Sequence, residues 1–163
     1  AAKFAGFQNA EAAQFVAAIV ELYNNVVEHS GAVSSAYVAF AAYERCFEFI
    51  VADAGIGVLE SLKSCPKFAS LSDCGSALEL ALTEGVSRLA IDPDRGRGFR
   101  PIFVGLANVS ESLRFRSGDH ARELKRLEDG TIHAVTAQKS ELMGFFCSVR
   151  CSPSAYFNDQ DIK

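Results

Sequence analysis

The spacing of apolar side chains predicts one long amphipathic helix near the start of the chain. In residues 9–29 they recur every three or four positions and so share one helical face: Phe15, Ile19, Leu22 and Val26. Asn9 is a suitable N-cap, and Gly31 is a suitable stop because glycine easily adopts the left-handed conformation that ends helices. We therefore predict a helix from Asn9 to His29.

Two segments rich in β-forming residues come next, SAYVAFAAY at 35–43 and CFEFIVAD at 46–53. The two residues between them are few enough for a hairpin turn. The second segment ends at a single acid, Asp53, which is followed by two glycines. The pattern predicts a β-hairpin whose second strand ends at Asp53.

The second half of the chain predicts further strands. SLRFRS at 112–117 alternates between apolar and basic residues, residues 121–138 surround an Asp-Gly turn at 129–130, and residues 142–151 form a last apolar run. Residues 99–109 have the pattern of a second helix. Since helices and strands do not alternate strictly, we predict an α+β fold: a two-layer sandwich with a mixed, mostly antiparallel sheet and helices on one face.

The stretch from Val58 to Arg97 has a looser pattern, with scattered serines, two prolines and a short helical patch at 76–85. A long connection inside a small domain is more often a functional lid than filler. We expect a lid at about 58–98, and we expect residues 59–97 to be the most mobile because they have few apolar anchors.

Composition narrows the classes of protein. The 163 residues suit a single domain, 1–163, and 49% hydrophobic content argues against disorder. A net charge of −4 makes nucleic acid or an anionic membrane an unfavourable partner, and no apolar run is long enough to cross a bilayer. Five cysteines without a C-x-x-C motif, and no charged-then-apolar leader, indicate reduced thiols in a cytoplasmic protein.

Three short motifs could carry chemistry. Glu21 and Asn25 are four apart on the predicted helix, where a carboxylate and an amide oxygen side by side can hold a hard cation or orient a water. A solvated polar face is the plainer interpretation. Asp53-Ala-Gly55-Ile-Gly57 combines an acid that can accept a hydrogen bond from an amine with glycines that let backbone approach a ligand. A strand-ending turn is equally compatible with that second motif.

The third motif is Arg95-Gly96-Arg97-Gly98, directly before the second predicted helix. Backbone amides at a helix start suit phosphate, although a flexible linker would have the same composition. The chain has neither a P-loop Gly-Lys-Ser/Thr nor a G-x-G-x-x-G motif.

The order of these motifs resembles the GHKL, or Bergerat-fold, ATP-binding domain of gyrase, the heat-shock chaperone, histidine kinases and mismatch-repair proteins. ELYNNVVEHS looks like the N box of that family, VADAGIGV like its G1 box and RGRGF like its G2 box. The resemblance covers residues 9–150. Glu28-His29 after the N box is more similar to the anti-sigma serine kinase branch than to ordinary sensor kinases.

The resemblance implies roles for individual residues. Asp53 would bind the adenine amine, and Gly55 and Gly57 would lie at the adenine pocket. Asn25 would hold the Mg²⁺ that bridges the phosphates of ATP, and Glu21 would be the general base. Gly96 and Gly98 would enclose the phosphates when the lid closes.

The chain departs from the family pattern at three positions. Arg100 stands beyond Phe99 where a third G2 glycine is common, Glu28 replaces a frequent basic residue, and Gly144-Phe145 replaces a Gly-Thr. The resemblance implies a Mg²⁺-dependent domain that hydrolyses ATP or passes its γ-phosphate to a protein partner in trans, with a homodimer as one possibility. The alternative is a degenerate member that senses nucleotide or serves as a protein-interaction module without catalysis.

Overall fold

The computed structural model describes residues 1–82, 110–127 and 129–153. Within these ranges lie three α-helices and four β-strands. Their bounds are α1 Asn9–His29, β1 Tyr37–Tyr43, β2 Cys46–Asp53, α2 Gly57–Lys63, α3 Cys74–Ala81, β3 Ser110–Arg126 and β4 Ile132–Cys151. Two 3₁₀ turns, Val33–Ser35 and Pro66–Phe68, complete the described elements.

The four strands form one sheet in the order β1-β2-β4-β3, and each of the three described pairings is antiparallel. In β2 and in residues 145–151 of β4, the odd-numbered side chains are buried and point to the face that the helices cover. The core on that face joins α1 to the centre of the sheet, where the Phe15 and Phe47 rings stack with centroids 5.1 Å apart. The predicted α+β fold is confirmed, and the described sheet is wholly antiparallel.

Helix α1 has the predicted bounds, and Gly31 takes the left-handed conformation (φ 67°) just after it. Two details differ. The N-cap is Gln8, whose backbone N–H donates to the Glu11 carboxylate at 2.7 Å, so Asn9 already lies inside the helix. Ala18 is buried while Ile19 is only partly buried, because the strip that faces the sheet turns gradually around a helix of 3.6 residues per turn.

Strands β3 and β4 form one long hairpin around the predicted turn at 129–130, where four shorter strands were predicted. The pairing shifts register at Gly118, and the hairpin bends there. Arg114 and Glu123 lie nine positions apart on β3, about 30 Å if extended, yet their side chains form a 2.8 Å ion pair. The distal half of the hairpin therefore folds back toward its own base.

The first part of the predicted lid is helical and packed. Leu62, Phe68, Ala77 and Ala81 form a small apolar cluster between α2 and α3. The expectation of few apolar anchors is therefore wrong for residues 58–82, because two short helices that are only weakly patterned in isolation bury each other. Residues 83–98 of the predicted lid and the predicted helix at 99–109 lie outside the described residues.

Candidate functional site

A cavity of about 70 Å³ lies where the end of α1, the end of β2 and the start of α2 meet. Its walls combine a few polar groups with apolar side chains from α2 and β4. The lining residues are Asn25, Val26, His29, Ser30, Asp53, Gly57, Val58, Ser61, Leu62, Ala81 and Phe145. Three residues from two distant motifs, Asn25, Asp53 and Gly57, thus share one cavity.

Asp53 occupies the floor of this cavity at the last position of β2. Its residue is 9% exposed, and one carboxylate oxygen accepts a hydrogen bond from the Gly55 N–H at 2.7 Å. Burial raises the pKa of the Asp53 carboxyl, and the backbone N–H groups of Gly55 and Phe145 offset part of that effect. A donor entering the cavity would therefore meet a desolvated acceptor, where hydrogen bonds to an ionised group are strong.

Asn25 lines the cavity from the last turns of α1. Its amide nitrogen is buried and has no hydrogen-bond partner among the described residues. Such a group is costly to leave unpaired, so an unpaired amide beside a cavity indicates a place for a ligand or water. A half-turn of the carboxamide would present oxygen instead. Glu21 lies one turn earlier and half-buried, outside the cavity lining.

The glycines of the second motif are needed mainly for packing within the protein. A Cβ on Gly55 would stand 2.1 Å from the Ser30 carbonyl oxygen, and a Cβ on Gly57, whose φ is +75°, would stand 2.7 Å from Ser117 Oγ. The close approach that the two glycines predicted is thus made by the end of α1 and by β3. Gly57 also lines the cavity, whereas Gly55 lies behind it.

Ser117 is a functional candidate that the sequence pattern did not indicate. Its buried hydroxyl accepts a hydrogen bond from the Val58 N–H at 2.9 Å and donates to the Gly144 carbonyl at 2.7 Å. The hydroxyl therefore ties the start of α2 to β4 directly behind the cavity. Only the fold reveals this role, since the two partners lie 59 and 27 positions away.

His29 and Ser30 also line the cavity and were not predicted as site residues. A signal for His29 was present in the sequence. Glu21, Asn25 and His29 follow one another at four-residue spacing, which aligns them along one flank of α1.

The described residues around the cavity could bind Mg²⁺ only together with substrate phosphates and water. Within the described ranges, no three His, Cys, Asp or Glu side chains are placed to hold a metal ion, so an all-protein cage is absent there. Mg²⁺ usually keeps several waters and takes one or two protein ligands together with substrate phosphates. Asn25, with its carboxamide turned so that the oxygen faces the cavity, would supply one such ligand, with Glu21 one turn away.

The third predicted motif lies outside the described residues. Gly96, Gly98 and Arg100 are not described, so their role remains a prediction. Phe145, the departure from the family pattern, is described and lines the cavity, with its ring 6.1 Å from that of Phe115.

Comparisons with known proteins give fold-level likeness only. No family model and no curated protein matches the chain. Among solved structures it is similar to the N-terminal domain of a DNA repair protein, with 15% identity and a TM-score of 0.44 over 88% of this chain and 37% of that one. It is also similar to the B-subunit of DNA gyrase from Myxococcus xanthus, with 10% identity and a TM-score of 0.43 over 87% and 37% of the chains.

A third similar structure is the ATPase region of Saccharomyces cerevisiae topoisomerase II, with 10% identity and a TM-score of 0.40 over 83% of this chain and 38% of that one. The chain spans less than two-fifths of the length of each of the three. These likenesses are at the level of the fold, so the assignment of the cavity rests on the residues of this chain.

None of the helices in the described residues is both long and apolar enough to cross a bilayer.

Proposed function

We propose that this chain is an ATP-binding domain of the GHKL type and that its cavity takes the adenine base. The observation that carries the proposal is the meeting of Asn25, Asp53 and Gly57 in one cavity. Asn25 and Asp53 lie 28 positions apart and could have faced any direction. Their convergence supports a shared ligand more strongly than either motif does alone.

In this proposal each residue has a distinct task. The Asp53 carboxylate accepts a hydrogen bond from the adenine amine, while Val58, Leu62 and Phe145 give the flat base apolar walls. Gly57 leaves room for the base at the turn into α2. Gly55 holds that turn against the end of α1 and acts behind the pocket.

The flank of α1 serves the phosphate end of the nucleotide. Asn25 would offer its amide oxygen to Mg²⁺ or its amide N–H to the phosphates, and Glu21 would orient the attacking water or hydroxyl and accept its proton. Mg²⁺, when bound, neutralises the phosphate charge that develops during transfer. Gly96 and Gly98, which lie outside the described residues, would enclose the phosphates, and the γ-phosphate would pass to water or to a protein partner, as the resemblance to the serine-kinase branch implies.

A second candidate function is favoured by the size of the cavity. At about 70 Å³ it is smaller than the ~300–1,000 Å³ of ordinary ligand pockets. Phe145 occupies the position of a small family threonine and narrows the space. A degenerate domain that binds no nucleotide and acts as an interaction module would have such a filled pocket.

Thermal unfolding with and without Mg-ATP tests the first function against the second. A ligand that binds only the folded state raises stability by ~2.7 kcal/mol at a hundredfold excess over its dissociation constant. We expect Mg-ATP to raise the midpoint of wild-type unfolding, and Mg²⁺ with pyrophosphate to raise it less. An unchanged midpoint at millimolar Mg-ATP would contradict the proposal.

The variant Phe145→Thr distinguishes two explanations for weak nucleotide binding: a nucleotide pocket that the Phe145 ring fills, and a cavity that is not a nucleotide site. If Phe145 merely fills the cavity, the variant gains a Mg-ATP shift that wild type lacks. If neither protein responds, the cavity is not a nucleotide site. Because the ring is buried, the variant is compared with its own ligand-free midpoint.

A further inference from the structure

The hydroxyl group of Ser117 connects two walls of the cavity from behind. Ser117 is buried on β3, where its Oγ accepts from the Val58 N–H at 2.9 Å and donates to the Gly144 carbonyl at 2.7 Å. A carbonyl oxygen can only accept, so the hydroxyl proton points to Gly144 and a lone pair remains for Val58. Both partners are thereby held by one residue that lies outside the cavity lining.

The part of β4 that Ser117 holds packs directly against the turn that carries Asp53. At Gly144, whose φ is +77°, a Cβ would collide with the Asp53 carbonyl oxygen and stand 2.7 Å from the Gly55 nitrogen. The Gly55 N–H in turn donates to the Asp53 carboxylate at 2.7 Å. A displacement of Gly144 would therefore disturb the donor that fixes the carboxylate.

The peptide group between Gly144 and Phe145 extends this connection. Its carbonyl accepts from Ser117, and its N–H stabilises the ionised Asp53 carboxyl, which opposes the effect of burial on the pKa. A hydrogen bond to the carbonyl of a peptide group polarises the N–H of the same group. Asp53 and Phe145 are also direct partners across β2 and β4. The Ser117 hydroxyl is thus connected to both N–H groups that stabilise the carboxylate.

The second contact of Ser117 holds the start of α2. Val58 and Gly57 both line the cavity there. A Cβ on Gly57 would lie 2.7 Å from Ser117 Oγ and 3.2 Å from the Gly144 carbonyl oxygen. Helix α2, β3 and β4 therefore meet closely at this hydroxyl, which sets the spacing between the Asp53 turn and the α2 wall.

We propose that Ser117 is a positioning residue of the cavity: its hydroxyl holds the Asp53 carboxylate, through Gly144, and the start of α2 at the spacing that a bound base requires. The consequence for ATP rests on the proposed function, whereas the effect on Asp53 does not. If Ser117 had a structural role alone, its loss would lower the stability of the fold and leave the ionisation of Asp53 unchanged.

A ¹³C NMR titration of the Asp53 carboxyl in nucleotide-free protein tests the positioning. In Ser117→Ala the N–H groups that stabilise the carboxylate are held less firmly, so we expect the pKa of Asp53 to rise further, by roughly 0.3–1. His29 is the other titratable side chain that lines the cavity, and its titration is followed in the same samples.

Ser110→Ala is the matched control for that titration. Ser110 is also buried on β3, but it pairs with Cys151, which lies beside the opposite end of β2 from Asp53. We expect the pKa of Asp53 in this variant to equal that of wild type. Amide spectra of the two variants show whether each is folded over the titrated range.

Wild type provides a test that does not depend on the folding of a variant. As Asp53 ionises, the carbonyl ¹³C resonance of Gly144 and the amide resonances of Phe145 should titrate with the midpoint of the Asp53 carboxyl. Resonances that do not follow Asp53 would overturn the connection through this peptide group. An Asp53 pKa that is unchanged or lower in Ser117→Ala, or that rises equally in Ser110→Ala, would overturn the positioning role.

Calorimetry with Mg-ATP tests the consequence for binding. We expect Ser117→Ala to bind ~3–10-fold more weakly than wild type and Ser110→Ala to bind like wild type. Equal affinity of Ser117→Ala and wild type would overturn the role of Ser117 in binding. Wild type that binds no ATP would overturn the proposed function, while the titration still decides whether Ser117 positions Asp53.

Discussion

At the scale of single residues, the burial of Asp53 is the feature with the clearest consequence. Since burial raises its pKa in the folded protein, the unfolded chain loses this proton first as pH rises. The native state therefore loses stability from about pH 3.9, the ordinary value for Asp, up to the raised pKa. Asp53→Asn keeps an oxygen for the Gly55 N–H and removes this loss.

We expect the stability of Asp53→Asn relative to wild type to increase as pH rises through that window. Chemical denaturation at several pH values measures it. Asp129→Asn is a control of opposite sign, because hydrogen bonds from the Thr131 hydroxyl and N–H lower the pKa of Asp129, whose stabilisation is lost as pH falls. A stability difference for Asp53→Asn that is independent of pH would contradict its burial as a charged group.

Alanine substitutions at Gly57 and Gly130 form a matched pair that isolates the effect of close packing on stability. Both have positive φ, +75° and +81°, so alanine at either costs roughly 1–2 kcal/mol of backbone strain. At Gly130 the new Cβ meets nothing within 4 Å, whereas at Gly57 it meets Ser117 Oγ at 2.7 Å. We expect Gly57→Ala to lose about 1–3 kcal/mol more than Gly130→Ala in urea unfolding. Equal losses would mean that the contact with Ser117 is not tight.

A substitution of Glu21 distinguishes an effect on the catalytic step from an effect on ATP binding. A carboxylate near the phosphates contributes little to ground-state affinity, but a general base is worth ~10²–10⁴ in rate. In Glu21→Ala we expect ATP affinity similar to or tighter than wild type, with phosphate release or transfer lower by that factor. Calorimetry with a phosphate-release assay measures both quantities. Unchanged turnover would make Glu21 a solvated helix residue.

At the scale of elements, the sequence predicted what local spacing controls. The bounds of α1 follow from an apolar repeat and a terminal glycine, and the β1–β2 hairpin follows from two β-rich runs with a two-residue gap. The sequence predicts shorter strands in place of β3 and β4 because the alternation of apolar and polar residues breaks near Gly118 and Ser140. The hydrogen-bond ladder continues across that bend, and only long-range pairing shows it.

Helices α2 and α3 show why packing in the first part of the predicted lid could not be read from the sequence. Each helix has eight residues or fewer and is too short to be stable alone. Tertiary packing around Phe68 stabilises both helices. We expect Phe68→Ala to speed amide hydrogen exchange in both helices and to leave α1 unaffected. Phe4→Ala, at a ring that is 78% exposed, should change neither region. Exchange in α2 and α3 that is already fast in wild type would contradict this packing.

At the scale of the whole molecule, the sequence indicated two of the polar residues that line the cavity but not its apolar walls. Short motifs in the sequence indicate Asn25 and Asp53 as candidate site residues, and the fold brings both to one cavity. The apolar wall from Leu62 and Ala81 was not predicted, because it depends on how α2 and α3 pack. The tie through Ser117 was not predicted either, since it joins three distant segments.

The measurement that tests the account most directly is isothermal calorimetry of Mg-ATP with wild type and with Asp53→Asn. Replacing the buried acceptor leaves the amine of the base without its partner, at a cost of ~1–3 kcal/mol. We expect wild type to bind and Asp53→Asn to bind tenfold or more weakly, with both proteins equally folded at neutral pH. Equal ATP affinity in the two proteins, or no binding to wild type, would contradict the assignment of this cavity as a nucleotide site.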